Sequence, residues 1–476
     1  MNKINRRDFL ELGLAASTSY GLQGAIPGAG WTQNQLDRFG GWSGKKFKAT
    51  GFFRLEKEKR WWLVTPEGHA FLSYGINHLH PNWWQQEYNR KAWEKRLDIK
   101  DIHGPDFHPA LRKWFLTTCQ EYGFNTVGVH NQLSIVNRPQ SAIPYVQKLT
   151  LVDIPHWKRD VPDAHFLDVF SNTFEQRCDQ MAQEIARPVK EDPFLLGYAL
   201  TDCPLFTEED CRARPDVIGG APRKARIGWP RRLRNLGGEA PGKQAYVDTM
   251  QELYHDDIAD FNVIYGTKFE SFGQLAAARD WRTDTDLSNA YETRDNVQFL
   301  KRVVAKYYQT ARDSIRQHDP NHLFMGDKIN ANTDTLDTLL PTTTQYTDLI
   351  YYQMYGRWDI QSSSLDRWSK QTDQPFINGD AAFTMITDTM PRPYGPVADN
   401  IIQRAAWTAE FFRGAFARPE FVGWHYCGLI DGSNQIPSKT DRQHSGLLDG
   451  YGNPYPELRK VLKTCAQKLY TIAMQG

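Results

Sequence analysis

The sequence contains no apolar run long enough to cross a bilayer as a helix, and no Gly-rich phosphate loop follows any of its strand-like segments. Its 57 basic and 56 acidic residues leave a net charge of only +1. This balance argues against nucleic acid or an anionic membrane as the main partner. We therefore predict no nucleic-acid partner, no membrane insertion and no nucleotide cofactor. The oligomeric state is left open.

Cysteine is also scarce, at six residues, and no CxxC pair or other zinc-type spacing occurs. The sequence therefore predicts no metal and no other cofactor. Three cysteines lie on predicted apolar helical faces and are expected to be buried thiols: Cys119, Cys178 and Cys465. Cys203 and Cys211 fall in one predicted loop, where they either pair or stay free.

The N-terminus has the pattern of a twin-arginine export signal. Paired arginines within Asn5 to Leu10 precede a mildly apolar stretch, Leu12 to Ala29, that is rich in Gly, Ala and Ser. The alternative is a chance Arg-Arg pair in front of a disordered arm. We predict that residues 1–30 are a signal peptide and that the mature protein is periplasmic or secreted.

Aromatic side chains, in contrast, are abundant, with 15 Trp, 21 Tyr and 25 Phe. Such enrichment suits a large core or a site that stacks on flat ligands, of which sugars are one class. Residues 31–70 are predicted to form a linker and a β-hairpin cap. Phe52–Glu56 and Trp61–Val64 are the strands of this hairpin, because a charged turn separates two apolar runs.

Residues 71–476 alternate between short apolar segments and amphipathic helices. Parallel strands that are buried on both faces have this composition. Eight β-then-α units predict a single (β/α)₈ TIM barrel of the α/β class, with a doubly wound open sheet as the alternative. The predicted strands are Phe71–Asn77, Asn125–His130, Leu149–Asp153, Phe194–Leu200, Leu323–Ile329, Asp348–Tyr355, Pro375–Ala382 and Phe421–Gly428. The clearest helices are Pro109–Tyr122, Asn172–Ala186, Ile402–Phe416 and Pro456–Ala473.

Two predicted strand-to-helix loops are long, the first over His78–Phe107 and the fourth over residues 203–243. Loops at this face of a barrel build its active site. Between Arg212 and Arg234 the fourth loop holds seven Arg and one Lys against one acid. A solvated surface with unstructured tips is the favoured interpretation of this run, and recognition of a carboxylated or sulfated sugar is the alternative.

Two carboxylates stand out at the carboxyl ends of the predicted barrel strands. Asp380 ends the seventh strand and Asp202 ends the fourth. Glycoside cleavage needs one group to protonate the leaving oxygen and another to attack the anomeric carbon or activate water. We predict Asp380 as the nucleophile or base and Asp202 as the acid. Alternatively, Asp380 caps a helix or pairs with Lys328, and Asp202 is a turn residue.

The other strand ends supply polar and aromatic residues that are predicted to bind the substrate: Asn77, His78, His130, Asp327, Tyr352, Tyr355, Trp358, Trp424 and His425. Trp83 and Trp84 of the first loop would add stacking surfaces. Two members have structural alternatives, since Asp327 is more often an ion-pair partner of Lys328 and Trp424 fits the barrel core equally well. The histidines are expected to contact hydroxyl groups, although three of them at three strand ends could bind a metal.

Four stretches resemble the (β/α)₈ retaining glycoside hydrolases, and among these the β-agarases and related bacterial polysaccharide hydrolases. They correspond to the entry hairpin with the first strand, the fourth strand, the seventh strand, and the last strand with the final helix. The stretches are RWWLVTPEGHAFLSYGINHLHP, DPFLLGYALTDCPLF, QPFINGDAAF, and FVGWHYCGLIDGSNQ with HSGLLDGYGNPYPEL. The resemblance implies an exported glycoside hydrolase that acts on an oligo- or polysaccharide.

The chain departs from that family at the catalytic positions. The fourth strand of the family ends in Asn-Glu, with Glu as the acid/base, whereas this chain has Asp202-Cys203-Pro204. Asp380 occupies the place of the nucleophilic Glu. Two shorter acids are expected to widen the gap between the carboxyl groups, which leaves retention and inversion both open. Glu208 or Glu209 could replace the missing acid.

The missing Glu also leaves other functions open. One is a carbohydrate-binding protein on a hydrolase fold that has lost its acid/base. Another is a different chemistry on the same scaffold, such as transglycosylation or elimination. The sugar, the linkage and exo or endo action are not indicated by the sequence.

Overall fold

The computed structural model describes residues 35–137, 140–154, 166–211, 227–284, 288–432 and 443–475. The predicted signal peptide lies outside these residues. Among the helices that are described, none combines the length and apolarity that a membrane crossing requires.

A four-stranded antiparallel sheet precedes the barrel. Its strands are β1 (Trp42–Lys46), β2 (Arg54–Lys57), β3 (Trp61–Val64) and β4 (His69–Phe71), in the order β1-β4-β3-β2. The predicted hairpin corresponds to β2 and β3 and is confirmed, with Leu55 opposite Leu63. The sheet adds two strands that the sequence did not indicate.

Arg60 joins this sheet to the amino-terminal end of the barrel. Its buried guanidinium donates hydrogen bonds to the carbonyl oxygens of Phe416 (2.9 Å), Ala473 (2.8 Å) and Phe421 (2.8 Å). Two of these carbonyls terminate helices, where a cation is favoured by the helix dipole. The sheet therefore closes the end of the barrel opposite to the strand carboxyl termini.

Eight parallel strands close into a barrel, which confirms the predicted (β/α)₈ fold. The last strand pairs with the first through Trp424 and Tyr74. Almost every strand residue is buried, as expected for strands that are covered on both faces. The strands are β5 (Ser73–Ile76), β6 (Thr126–Val127), β7 (Tyr145–Lys148), β8 (Leu195–Asp202), β9 (Leu323–Asn330), β10 (Ile350–Gln353), β11 (Phe376–Ala381) and β12 (Phe421–Tyr426).

The helices of the described residues cover the barrel and its loops. They are α1 (Arg90–Leu97), α2 (Phe107–Tyr122), α3 (Leu133–Val136), α4 (Asn172–Ile185), α5 (Trp229–Arg234), α6 (Pro241–Leu253), α7 (Ile258–Tyr265), α8 (Phe272–Ala277), α9 (Ala290–His318), α10 (Thr335–Thr343), α11 (Trp358–Trp368), α12 (Ile401–Ala417), α13 (Pro456–Gln467) and α14 (Leu469–Ala473). Short 3₁₀ turns occur at Pro81–Trp83 and Arg187–Val189.

The third predicted strand is misplaced. The strand forms at Tyr145–Lys148, four residues before the predicted Leu149–Asp153. Residues 149–153 form an apolar run, which is why a strand was predicted there. The run is mostly buried, but it lies in the loop that follows the strand. The pairing of Val146 with Gly197 of β8 fixes the true register. Apolarity alone did not separate strand from buried loop.

The basic run differs from the favoured prediction of a solvated surface. Residues 212–226 lie outside the described residues, but Arg231 and Arg234 are fully buried in α5. Both guanidinium groups contact the Glu292 carboxylate, at 3.4 and 2.8 Å. A buried arginine requires such a partner, so these two side chains tie the fourth loop to α9.

The cysteines of the described residues are all free and buried. Cys119, Cys178 and Cys465 lie in helices, as predicted. Cys203 and Cys211 do not form a disulfide, which decides the question that the sequence left open.

Candidate active site

Lys328 lies at the centre of the carboxyl-terminal face. It neighbours Asp202 directly across the β8–β9 pair. Its ammonium contacts Asp380 Oδ2 at 2.6 Å, Asp202 Oδ1 at 2.9 Å and His130 Nε2 at 2.7 Å. The ammonium donates hydrogen bonds to Asp380 Oδ2 and His130 Nε2, and it forms an ion pair with Asp202. We refer to Lys328, Asp202, Asp380 and His130 as the ammonium cluster.

Lys328 points inward because side chains alternate along β9. Its neighbour Asp327 therefore points outward, toward α9. The Asp327 carboxylate accepts hydrogen bonds from the Thr201 backbone (2.6 Å) and from Tyr307 Oη (3.2 Å). Burial raises the pKa of Asp327 to about 7. The structure thus places the predicted substrate ligand Asp327 behind the barrel wall, with Lys328 in the site instead.

The ammonium cluster keeps Asp380 ionised. Burial acts to raise the pKa of Asp380, but the adjacent Lys328 ammonium outweighs it, so this pKa is lowered. Burial likewise acts to lower the pKa of Lys328, but Asp202 and Asp380 raise it well above its usual value. An ionised Asp380 can act as a nucleophile or a base, and it cannot donate a proton.

The two carboxylates lie closer than the sequence suggested. Asp202 Oδ1 and Asp380 Oδ2 contact the same nitrogen at 2.9 and 2.6 Å, so these oxygens are at most 5.5 Å apart. Retaining glycosidases separate their carboxyl groups by about 5–5.5 Å, and inverting enzymes by about 6.5–9.5 Å. The expected widening is not seen between these two oxygens, since both contact the Lys328 ammonium.

The second oxygen of Asp380 faces neutral hydrogen-bond donors. Asn77 Nδ2 and Tyr355 Oη each lie 3.3 Å from Asp380 Oδ1, and His78 Nε2 lies 3.9 Å away. Burial, and then the Asp380 charge, raise the pKa of Tyr355 well above its usual value. Its hydroxyl therefore remains a donor. The structure brings these three predicted residues together around the acid.

A stack of flat rings lines one side of Asp380. The ring of His78 lies 4.7 Å from His130, 4.3 Å from His444 and 5.1 Å from Trp83, with interplanar angles of 6°, 29° and 10°. Burial lowers the pKa of His78 well below its usual value and that of His444 to about 4. These two rings are therefore uncharged at neutral pH. A neutral flat surface beside a carboxylate suits the face of a sugar ring.

His444 was missed by the sequence analysis. It follows β12 in a loop, inside the quoted HSGLLDG stretch, and no strand pattern marks it. The resemblance of that stretch to the closing segment of polysaccharide hydrolases was the only available signal.

Strained backbone surrounds the site. His78 and Cys203 are non-glycine residues with φ of 67° and 46°, just past the ends of β5 and β8. Both are held by interstrand hydrogen bonds, since the His78 amide donates to His130 O (3.0 Å) and the Cys203 amide to Lys328 O (2.8 Å). Such strain persists where the surrounding structure fixes it, and it clusters at functional sites.

His425 lies inside the barrel, beneath the acids. Its Nε2 is 2.9 Å from Ser73 Oγ and its Nδ1 is 3.2 Å from Tyr351 Oη. Burial lowers the pKa of His425 to about 3, so the ring is neutral. It supports the floor of the site.

Three predicted sugar-binding aromatics do not join the site. Trp424 donates to the Ala381 carbonyl (3.1 Å) and packs on Phe411 of α12, in the core between barrel and helices. Tyr352 packs on Trp368 of α11, and Trp358 packs on Phe411. Side chains at alternate strand positions point away from the barrel axis, which explains why Trp424 and Tyr352 pack against the surrounding helices.

Two loop residues are likewise engaged elsewhere. Trp84 packs on Trp93 and Trp114, whereas its neighbour Trp83, also buried, stacks on His78. Glu208, a possible replacement acid, accepts a hydrogen bond from the Gly228 amide (2.9 Å) and lies 3.4 Å from Arg231. Glu208 is thus tied to the start of α5.

The closed barrel defines the fold class, a (β/α)₈ barrel, and two buried carboxylates lie at the carboxyl ends of β8 and β11. No protein-family model matches the chain. The predicted resemblance to β-agarases is confirmed. Beta-agarase B of Vibrio sp. (strain JT0107) is 22% identical over 500 residues, covering 91% of this chain and 50% of that protein. Beta-agarase A of the same strain is 23% identical over 254 residues, covering 50% and 23%.

Solved agarase structures share the fold. An exo-beta-agarase superposes with a TM-score of 0.73 at 18% identity, covering 100% of this chain and 72% of that one. The agarase AgWH50C gives 0.71 at 17% identity, covering 99% and 72%. The chain spans about half the length of beta-agarase B.

Proposed function

We propose that this protein hydrolyses glycosidic bonds in an agar-type galactan or a related polysaccharide. The observation that carries the proposal is the pair of buried carboxylates at the ends of β8 and β11, at most 5.5 Å apart. The similarity to β-agarases supports the substrate class.

The geometry favours a retaining double displacement. Asp380, held ionised, attacks the anomeric carbon, and the glycosidic C–O bond breaks as Asp202 gives a proton to the leaving oxygen. Water then releases the sugar from Asp380, and Asp202 recovers a proton from that water. Asn77 and Tyr355 hold Asp380 Oδ1 in place. An NMR measurement of the first-formed product anomer tests this step, because inversion would contradict it.

Lys328 sets a condition on this mechanism. Its ammonium occupies the space between the acids, and Asp202 must be protonated to act as an acid. Substrate entry must therefore shift the ammonium away from Asp202, while the 2.6 Å contact with Asp380 holds the nucleophile ionised. Removal of a cationic neighbour raises the pKa of a buried carboxyl group, which would protonate Asp202 when the sugar is bound.

A carbohydrate-binding protein is the second candidate. The specific observation in its favour is the same ammonium bridge, which neutralises both acids, together with the absence of Glu at the end of β8. In this case the stacked rings of His78, His130, His444 and Trp83 would bind a sugar without cleavage.

A digestion of a glycan panel that includes agarose oligosaccharides distinguishes the two candidates. We expect Asp380→Asn to reduce cleavage at least about a thousandfold. Asp327→Asn is the matched control, since Asp327 is a buried strand acid that faces away from the site, and it should keep near wild-type activity. Oligosaccharide binding without turnover by the wild-type protein would favour the binding protein and refute the hydrolase.

We also propose that residues 1–30 export the protein through the twin-arginine route, that residues 31–70 form the cap and that residues 71–476 form the catalytic barrel. N-terminal sequencing of the mature protein tests the cleavage site, and replacing Arg6-Arg7 by Lys-Lys should block export. Within the basic run, Arg231 and Arg234 are not available to recognise an acidic sugar, because both are already paired with Glu292.

A further inference from the structure

A set of metal-ligand side chains adjoins the ammonium cluster. His78 follows β5, Cys427 follows β12, and His444 lies in the loop beyond. One ligand atom from each lies within 4.8 Å of those of the other two. We propose that His78, Cys427 and His444 form a binding site for a transition-metal ion of the zinc type. We refer to them as the His-Cys-His trio, and the proposal does not depend on the hydrolytic activity.

The donor set favours zinc over a hard cation. Imidazole nitrogens and a thiolate suit transition-metal ions such as zinc and copper, whereas magnesium and calcium take oxygen ligands. Tetrahedral Zn–N and Zn–S bonds place neighbouring ligand atoms about 3.3–3.6 Å apart. Cys427 Sγ and His444 Nδ1 are already 3.2 Å apart. The His78 and His444 rings are stacked at an interplanar angle of 29°, so one ring would have to rotate out of the stack for both nitrogens to reach one ion.

An unsatisfied nitrogen provides the second observation. His78 is 6% exposed, and its Nε2 has no hydrogen-bond partner within the described part of the chain. Burying such a group without a partner costs about 1–3 kcal/mol. Asp380 Oδ1, at 3.9 Å, is too far to serve as a direct acceptor. A bound cation near this nitrogen would remove the penalty.

Lys328 determines which oxygen of Asp380 lies next to the proposed metal site. The ammonium engages Asp380 Oδ2 and the lone pair of His130 Nε2, so a cation cannot use those atoms without displacing it. The alternative group of His78, His130 and Asp380 is therefore disfavoured. Asp380 Oδ1 faces the trio, where it can accept a hydrogen bond from water on the fourth position of the metal.

Cobalt substitution tests the site without any activity assay. The mature chain, stripped with a chelator, is titrated with Co²⁺ and followed by absorption, and Zn²⁺ is then added in competition. We expect one Co²⁺ per chain, tetrahedral visible bands and a sulfur-to-cobalt charge-transfer band. Zn²⁺ should abolish these signals. Cys427→Ser should remove the charge-transfer band, and His444→Gln should weaken binding at least about tenfold.

Two controls locate the ion. Cys465→Ser removes a buried thiol of α13 and should leave the band unchanged. His69→Ala disrupts a separate candidate group, Asp37, Glu67 and His69, in the N-terminal sheet, and should also change nothing. Circular dichroism checks that each variant folds. If Cys427→Ser does not fold, His444→Gln still tests the site, because His444 is partly exposed. Absence of stoichiometric binding, a band that survives Cys427→Ser, or binding lost in His69→Ala would overturn the proposal.

Discussion

Replacing Lys328 by methionine removes the cation between two buried acids while preserving most of the side-chain volume. Asp202 and Asp380 are 5% and 2% exposed, so water cannot replace the ammonium. Removal of one partner from a buried ion pair typically costs about 3–5 kcal/mol. We expect Lys328→Met to lower the free energy of unfolding by that amount at about pH 7.

The loss should depend on pH with a defined sign. In the wild type the pKa of Asp380 is lowered, so its stabilising contribution is present above the unfolded value of about 3.9 and is lost as pH falls through the folded pKa. In Lys328→Met, burial raises the pKa of Asp380 without the opposing charge of the ammonium. The variant then becomes less stable as pH rises above about 4, and its deficit shrinks as pH is lowered toward about 4.

Guanidinium unfolding at about pH 7.5 and about pH 4.5, followed by tryptophan fluorescence, measures both effects. Lys306→Met is the matched control, because Lys306 forms a 2.8 Å pair with Glu175 and keeps 30% side-chain exposure. Its loss should stay below about 1 kcal/mol. A Lys328→Met loss no larger than this control, or one of equal size at both pH values, would refute the reasoning.

Three further predictions concern single buried groups. Burial raises the pKa of Asp327 to about 7, so the stabilising contribution of this residue is present at low pH and is lost as pH rises through about 7. We therefore expect Asp327→Asn to flatten the dependence of the unfolding free energy on pH between about pH 4 and 8. A pH dependence parallel to that of the wild type would contradict this. Arg234→Met should destabilise by about 1.5–3 kcal/mol in urea unfolding, since it removes one charged hydrogen bond to the buried Glu292 and leaves Arg231 and Arg282 as its partners. Arg279→Met at an exposed pair should cost less than about 1 kcal/mol. The pKa of His425 is lowered to about 3, so its imidazole NMR signal should not shift between about pH 8 and 5, and a titration in that window would show that the ring is accessible.

Most of the fold could be predicted because its signals are local. Short apolar segments and amphipathic helices repeat along the chain, and a segment buried on both faces is recognisable from its own residues. The exception was β7, where a buried loop resembled a strand and only pairing with β8 fixed the register. The same local pattern identified Asp202 and Asp380 as residues at strand ends.

The residues of the site could be predicted only in part, because the register of a strand decides whether a side chain points into the barrel or toward the helices. Asp327 and Lys328 are neighbours in sequence, yet one faces α9 and the other the barrel interior. For the same reason Trp424, which was predicted to bind the substrate, lies in the core. A shift of one residue reverses every side chain of a strand, and sequence pattern does not fix that shift when both faces are apolar.

The barrel, the two acids that end strands β8 and β11, and the resemblance to β-agarases could all be predicted from the amino-acid sequence. The position of Lys328 between those acids and the contact of His444 with His78 became evident from the folded chain. These contacts connect residues far apart in the chain: Lys328 lies 52 positions from Asp380 and 198 from His130. Closure of the barrel brings the strand ends together, and the geometry of the site exists only after that closure.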